Sequence, residues 1–340
     1  MKSELDTMQI PAHFIPCFKT EIAVDRGVER NLLFRTWGGL GDQICAEPTL
    51  RYALSQFRDC KLSLASEHPE LFQHLKFDSV FDTTKVLPIY KNYLTFETIV
   101  PPDDTNLVWQ FVNHMLVNCV DFPTLCALRS TLPVAAKEII LTPGPPAYER
   151  ATELVGLGLK VNNSVFVHPG RHWPTKTFPK DWWDDVLAGL VACSITPVLI
   201  GANTDDNRGT VDVNAAGCLD LRNKLTVSES VWFLQRAGVL LTNDSAPLHM
   251  AASYNPDDET TGHTWTGYVA TCKHPDLISH WRQGEWNYRE VNLGVGGLWE
   301  TVNHCPNTTQ QITADQTDEV TLRSWLPEPS DVVSWTCERL

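Results

Sequence analysis

Short apolar runs, each closed by a turn and followed by a helix-forming stretch, recur along this chain of 340 residues, and that alternation leaves few architectures open. In the first half the runs are residues 31–37 (NLLFRTW), 61–65 and 79–81, with helices expected over 43–56 and 69–75. Residues 107–127 read as helical, with 107–109 open as a strand start. Pro143-Gly144-Pro145-Pro146 is the sharpest punctuation in the sequence and reads as an inter-domain connection. Beyond it a helix over 147–157 opens a second alternation. Strands are expected at 164–168 (SVFVH), 197–200 (PVLI), 218–221, 239–242 (VLLT) and 268–271, and helices at 180–193, 228–237 and 245–253. Alternation in both halves predicts an α/β chain with two doubly wound parallel sheets. Right-handed crossovers then put the loops after the strands on one edge of each sheet, the edge at which such folds bind ligands.

The length suits two domains, at about 100–200 residues each, with cores that need no disulfide or metal staple. Apolar residues are 43% and charged residues 20%, which excludes wholesale disorder and fibrous classes. The net charge of −14 repels polyanions, which argues against non-specific nucleic-acid or anionic-membrane binding and leaves room only for a local basic groove. Ten cysteines include no CxxC pair and no zinc-finger spacing, so free thiols in a reducing compartment are expected. The first 18 residues lack the apolar core of a signal peptide, and no run approaches ~20 apolar residues. A cytoplasmic protein is expected, in which the glycosylation sequons at Asn162 and Asn307 are accidents of composition.

Past Pro275 the alternation fades. Six of the twelve tryptophans lie between Trp265 and Trp335, and residues 298–340 carry seven acidic side chains against two basic ones. A free acidic arm would be poor in aromatics, so this segment reads as anchored on the body. The expected division is residues 1–145, 146–297 and the tryptophan-containing 298–340, with the last helical stretch free to cross back to the first domain.

Four places carry chemistry. Gly38-Gly39-Leu40-Gly41-Asp42 joins a strand to a helix, where glycines let a ligand approach the backbone and the helix end offers N–H groups. Its spacing is not GxGxxG, so a dinucleotide fingerprint is not supported. Asp42 is either a reactive carboxylate or a helix cap. His168-Pro169-Gly170-Arg171-His172-Trp173-Pro174-Thr175-Lys176-Thr177-Phe178-Pro179 follows a strand, and Arg171 and Lys176 could hold phosphate there. The plainer alternative is a solvated basic loop, with His168 a satisfied buried histidine. Gly201-Ala202-Asn203-Thr204-Asp205-Asp206 could offer a carboxylate to ribose hydroxyls, or be an ordinary turn. In Thr242-Asn243-Asp244-Ser245-Ala246-Pro247-Leu248-His249, Asp244 or Ser245 caps a helix whose Ser245 and Ala246 N–H groups would point at an anion. His249, one turn on, would face the same way. Together the four suit one cleft, with a carboxylate on one side and cations and helix ends on the other.

These residues resemble the ADP-heptose–lipopolysaccharide heptosyltransferases, glycosyltransferase family nine. The likeness runs from about Asn31 to Thr271 and rests on GLGDQICAEPTLRYAL, on VFVHPG with the later Lys176-Thr177-Phe178-Pro179, and on LLTNDSAPLHMAAS. It implies GT-B architecture: two Rossmann-like doubly wound parallel-sheet domains facing a central cleft, the first binding acceptor and the second the nucleotide sugar. It implies an inverting transfer from a nucleotide-diphosphate sugar, with no metal and no cofactor. By resemblance Asp42 is the general base, and Lys176 matches the family's Lys-x-Trp-Pro motif with Phe178 in place of Trp. Asp244, Ser245, Ala246 and His249 match its Asp-Ser-Gly-x-x-His signature, with Ala246 where glycine is usual. Gly39, Gly41, Arg171 and Asp206 complete the expected donor-binding set. The transferred sugar is a hexose, pentose or heptose, and the acceptor is a glycan or, less in keeping with the pattern, a peptide or modified nucleic acid. Before Lys160 there are 14 basic and 19 acidic residues, a balance that speaks against an anionic lipid or core-oligosaccharide acceptor. The alternatives are a nucleotide-sugar epimerase on the same scaffold and a non-catalytic nucleotide-sugar-binding protein.

Overall fold

The computed structural model describes residues 31–36, 38–85, 93–98, 121–130, 132, 134, 137–156, 159–171, 174–202, 209–271, 274–282, 285–297 and 319–340. Asp206, His172, Trp173, the strand start considered at 107–109 and the stretch 298–318 lie outside these residues.

The first half builds a sheet from β1 (Asn31–Arg35), β2 (Lys61–Ser66), β3 (Ser79–Asp82) and β4 (Leu94–Glu97). Its order is β3-β2-β1-β4, and every pairing is parallel. Between β1 and β2 the chain forms α1 (Leu40–Cys45) and α2 (Glu47–Gln56). A single helix was expected over 43–56. Pro48, at the second position of α2, has no N–H to continue the ladder from α1, so the helix restarts at Ala46. The 69–75 helix is a 3-10 turn, Pro69–Phe72. Of the long helix expected over 107–127, α3 (Phe122–Arg129) is the described part, capped by Asp121 accepting from Thr124 N–H at 2.9 Å.

The second half opens with α4 (Pro145–Gly156). Strand β5 (Val165–His168) follows, then the short pair β6 (Gly170–Arg171) and β8 (Gly209–Thr210), with α5 (Lys180–Ala192) and β7 (Val198–Leu199) between them. Next come β9 (Leu219–Asp220), α6 (Val227–Leu234), β10 (Val239–Asn243), α7 (Ala246–Ala252) and β11 (Trp265–Val269). The antiparallel pair β12 (Trp281–Arg282) and β13 (Glu285–Trp286) leads to β14 (Glu290–Asn292). The main sheet runs β14-β11-β10-β5-β7-β9, parallel throughout. Counted along the chain its strands stand 3-2-1-4-5-6, the doubly wound order, with its switch point between β5 and β10. The first sheet repeats the 3-2-1-4 part, with its switch point between β1 and β4.

Side chains alternate across these strands, so each buried strand feeds two cores. Phe166 and Leu240 join Val231, Phe233, Leu234 and Met250 of α6 and α7, in an apolar cluster continuous with Leu32 and Phe34 of the first sheet and Ile44 of α1. Val165, Val167, Val239 and Leu241 face the other way, onto Trp183, Val186 and Leu190 of α5. The C-terminal helices α8 (Glu319–Trp325) and α9 (Pro329–Cys337) close this outer face. Within these helices Trp325 is buried, and Trp182 Nε1 donates to the Pro327 carbonyl at 2.8 Å. The last helix does not cross back to the first sheet. It lies on α5, where Gly189 lets Val333 approach so closely that a Cβ would stand 2.7 Å from its Cγ2. No described helix is long and apolar enough to cross a membrane.

Candidate functional site

At the switch point of the second sheet β5 ends in His168, paired in register with Thr242 of β10. The His168 Nδ1 lies 3.2 Å from Ser245 Oγ and 3.3 Å from Thr242 Oγ1. Burial drives the imidazole's pKa down to about 4, against an opposing interaction with the Asn243 side chain that favours the charged ring, so the ring is neutral. Ser245 occupies the N-cap position of α7 with extended backbone, yet its hydroxyl does not cap the helix. It is spent on His168 and Thr242. His168 is therefore the satisfied buried histidine of the plainer alternative.

That environment has a measurable consequence. The folded pKa lies below the ordinary imidazole value of about 6.5, so the unfolded chain binds the proton first as pH falls. Stability from this group is intact above pH ~6.5 and is lost on the way down to pH ~4, by about 2 kcal/mol between pH 7 and pH 5. Denaturant titrations at the two pH values should show this loss in wild type and a smaller one in His168→Gln. An equal loss in both proteins would show that the acid sensitivity lies elsewhere.

The loop after β5 is pinned from beneath. Asn243 Nδ2 donates to the carbonyls of Lys176 at 2.6 Å and Gly170 at 3.2 Å, and the Thr271 hydroxyl donates to the Thr175 carbonyl at 2.6 Å. Gly170 is required here, because a Cβ would stand 2.5 Å from Asn243 Oδ1. Lys176, at the end of a 3-10 turn, extends its ammonium to Asp244 Oδ2 at 2.6 Å, and Asp244 is 4% exposed. Phe178 is buried and stacks on Trp183 at 5.9 Å, so the ring of the Lys-x-Phe-Pro sequence anchors the loop to α5. Arg171 lies on β6, at the rim.

On the first sheet the glycine turn does what its composition suggests. Gly38 has φ +87°, and a Cβ there would stand 2.6 Å from Asp42 Oδ2. The Gly39 N–H donates to that same oxygen at 2.9 Å. Asp42 does cap α1, through its reach back to Gly39, and is half-buried. Arg129, at the end of α3, is drawn toward Cys126 and Asp42, although burial dominates and lowers the guanidinium's pKa. Its Nε is buried without a hydrogen-bond partner.

The two halves meet at the starts of α1 and α7. A Cβ on Gly41 would lie 3.5 Å from Ala246 Cα and 2.8 Å from His249 Cδ2, so only glycine permits this approach. Asp42 and Ala246 thus stand at adjoining helix ends supplied by different sheets. His249 does not face the same way as Ser245. Its Nδ1 lies 2.8 Å from His280 Nε2 and 3.5 Å from Cys45 Sγ. Ser245, on the extended residue before the helix, lies outside the helical face that spacing assigns it.

The structure brings Gly39, Gly41 and Asp42 together with Ala246 and His249, and Lys176 together with Asp244 and Ser245. The sequence reading passed over Asn243, Thr271, Arg129, His280 and Glu290. Asn243 stood inside a motif already singled out and could have been found there as the polar residue closing an apolar strand. The others come from distant segments with no spacing signal.

The family model for glycosyltransferase family 9 (heptosyltransferase) matches residues 142–256, which include the Lys176 loop and α7 but not Asp42. The glycosyl transferase family 9 protein from Veillonella parvula DSM 2008 is similar in structure, with TM-score 0.60 and 11% identity over 92% of this chain and 97% of that one. So is the dodecameric iron-containing heptosyltransferase TibC in complex with ADP-D-beta-D-heptose, with TM-score 0.58 and 12% identity over 91% of this chain and 76% of that one. TibC from enterotoxigenic E. coli H10407 also matches in a second structure, with TM-score 0.53 and 14% identity over 91% of this chain and 77% of that one. At such identities the likeness is one of fold. No curated protein matches the chain. The second half of the chain is thus similar in sequence to glycosyltransferase family 9 (heptosyltransferase), and its two sheets share the GT-B architecture of the solved structures of that family.

Proposed function

We propose that this protein moves a sugar from a nucleotide-diphosphate sugar to an acceptor hydroxyl with inversion, Asp42 acting as general base. One observation carries the reading: the carboxylate-bearing end of α1 abuts the first turn of α7, whose N-cap Ser245 makes no cap hydrogen bond and which follows the Asp244 partner of Lys176. The donor diphosphate sits on the second sheet, at its switch point, against Lys176, Arg171 and the Ser245–Ala246 backbone. The acceptor enters from the first sheet, between Gly39 and Arg129. On this reading residues 1–145 serve the acceptor, residues 146–297 the donor, and the C-terminal helices brace the second sheet.

The chemistry follows from those positions. An acceptor hydroxyl is a weak nucleophile, and a carboxylate within hydrogen-bond reach removes its proton as attack proceeds, worth ~10²–10⁴-fold. The hydroxyl oxygen bonds to the anomeric carbon from the face opposite the diphosphate, and the glycosidic C–O bond breaks with its electron pair going to the phosphate. Lys176 and the α7 backbone meet the charge that develops there. Arg129 is electrostatically attracted to Asp42 and stands as a cation at hand for its carboxylate. Because fixed cations serve the leaving group, transfer is expected to proceed without added divalent cation, and EDTA at the start of the assay should leave the initial rate unchanged. A rate lost with chelator and restored by Mg²⁺ or Mn²⁺ would count against it.

The deciding experiment is a panel of nucleotide sugars screened by thermal shift, since a ligand at 100 Kd stabilises by about 2.7 kcal/mol. The stabilising donor is then incubated with candidate acceptors. Nucleoside diphosphate released in step with a new glycoside supports transfer. An epimerised donor, or binding with neither product, overturns it.

A further inference from the structure

We propose that Cys45, His249 and His280 form a binding site for a divalent cation of the zinc class, which clips the helix bearing Asp42 to the helix that follows β10. The three residues come from α1, from α7 and from the loop before β12, 204 and 31 residues apart along the chain. Their ligand atoms all lie within 4.8 Å of one another, and the residues are 0%, 5% and 4% exposed. One thiol and two imidazoles are a borderline-soft donor set that suits Zn²⁺ and disfavours Mg²⁺ or Ca²⁺.

The hydrogen bonding around the trio is that of a metal site. His280 Nδ1 lies 2.9 Å from the Glu290 carboxylate, whose side chain is fully buried. That carboxylate also accepts from the His280 N–H at 2.8 Å and from Asn287 Nδ2 at 3.3 Å. Three donors hold it as an acceptor, so His280 keeps its proton on Nδ1 and turns the Nε2 lone pair toward Cys45 and His249. A carboxylate behind a histidine in this way fixes tautomer and ring direction for coordination.

The distances fit as well. For Zn–S of about 2.3 Å and Zn–N of about 2.0–2.1 Å, a tetrahedral ion places S and N about 3.5 Å apart and two nitrogens about 3.3 Å apart. Cys45 Sγ and His249 Nδ1 stand 3.5 Å apart. His249 Nδ1 and His280 Nε2 stand 2.8 Å apart, a hydrogen bond in which one proton occupies the place of the ion. Coordination displaces it: His249 carries its proton on Nε2 instead, the Cys45 thiol loses one to solvent, and the imidazoles open by about half an ångström. Three protein ligands leave a fourth position for water.

The function follows from the anchor points. Cys45 lies three residues after Asp42, and His249 three after Ala246, so a bound ion fixes the spacing of the two helix ends at which the halves meet. The site does not depend on sugar transfer, and its test does not read activity. Full-length protein is passed over a chelating resin and its metal measured by mass spectrometry, then stripped and titrated with Co²⁺. The expected result is about one zinc per chain and a thiolate-to-Co²⁺ charge-transfer band. Cys45→Ser should abolish the band while a Cys60→Ser control retains it, and Glu290→Gln should weaken Co²⁺ binding ~10–100-fold. The Glu290 variant keeps all three ligands, so it reads affinity even where Cys45→Ser folds poorly. Metal-free wild type that gives no charge-transfer band with Co²⁺, or a band that Cys45→Ser retains, would overturn the site and leave a hydrogen-bonded histidine pair beside a thiol.

Discussion

Asp42→Asn is expected to slow sugar transfer by ~10²–10⁴-fold while leaving the fold and donor affinity nearly unchanged. The substitution separates two duties of one side chain. As a cap, Asp42 accepts the Gly39 N–H at 2.9 Å, and an asparagine carbonyl can accept the same hydrogen bond. The cost to α1 is the lost attraction between a carboxylate and the helix N-terminus, about 0.3–1 kcal/mol. As a base, Asp42 must take a proton, and a carboxamide cannot. Melting temperature and transfer rate measured on the same variant therefore diverge if Asp42 is catalytic and move together if it is only a cap. Near-wild-type turnover in Asp42→Asn would reduce it to a cap. Donor hydrolysis can serve as the rate until an acceptor is found.

The parts of this molecule legible in the sequence are those whose partners are near in the chain or whose pattern is strong. VFVH and VLLT read as buried strands because each is apolar on both faces, and each feeds two cores. The glycine turn before Asp42 was legible because Gly38 needs positive φ and leaves no room for a Cβ. β4 and β14 were missed for opposite reasons. β4 follows a stretch with no clear period, and β14 is an edge strand of Glu, Val and Asn, held by its neighbour β11 rather than by its own hydrophobicity. The break between α1 and α2 hid because apolar periodicity runs through it while Pro48 interrupts only the hydrogen bonds. Helical arithmetic put His249 one turn from Ser245 correctly in distance and wrongly in direction, because Ser245 is extended. What His249 does meet, His280, is supplied by tertiary folding, which no local pattern encodes.

The Lys176–Asp244 pair calls for a double-mutant cycle, because a single substitution confounds two roles. Lys176→Met removes the ammonium 2.6 Å from a carboxylate that is 3% exposed, and a buried charge that loses its partner costs about 3–5 kcal/mol. Turnover would fall in that variant even if the lysine never met a phosphate, simply because the loop had loosened. In an Asp244→Asn background the charge is already gone, so adding Lys176→Met should cost far less stability. The stability changes are then strongly coupled, as expected of neighbours. The rate behaves differently if Lys176 also holds the diphosphate. A hydrogen bond from a charged donor is worth about 1.5–3 kcal/mol, so Lys176→Met should still lower kcat/KM by ~10–100-fold in the Asp244→Asn background. Asn243 and Thr271 hold the loop by backbone carbonyls in every member of the cycle, so the loop's position is not what changes. If the second substitution leaves kcat/KM where Asp244→Asn put it, Lys176 serves only to neutralise Asp244, and the charge on the leaving group is met by the helix end and Arg171.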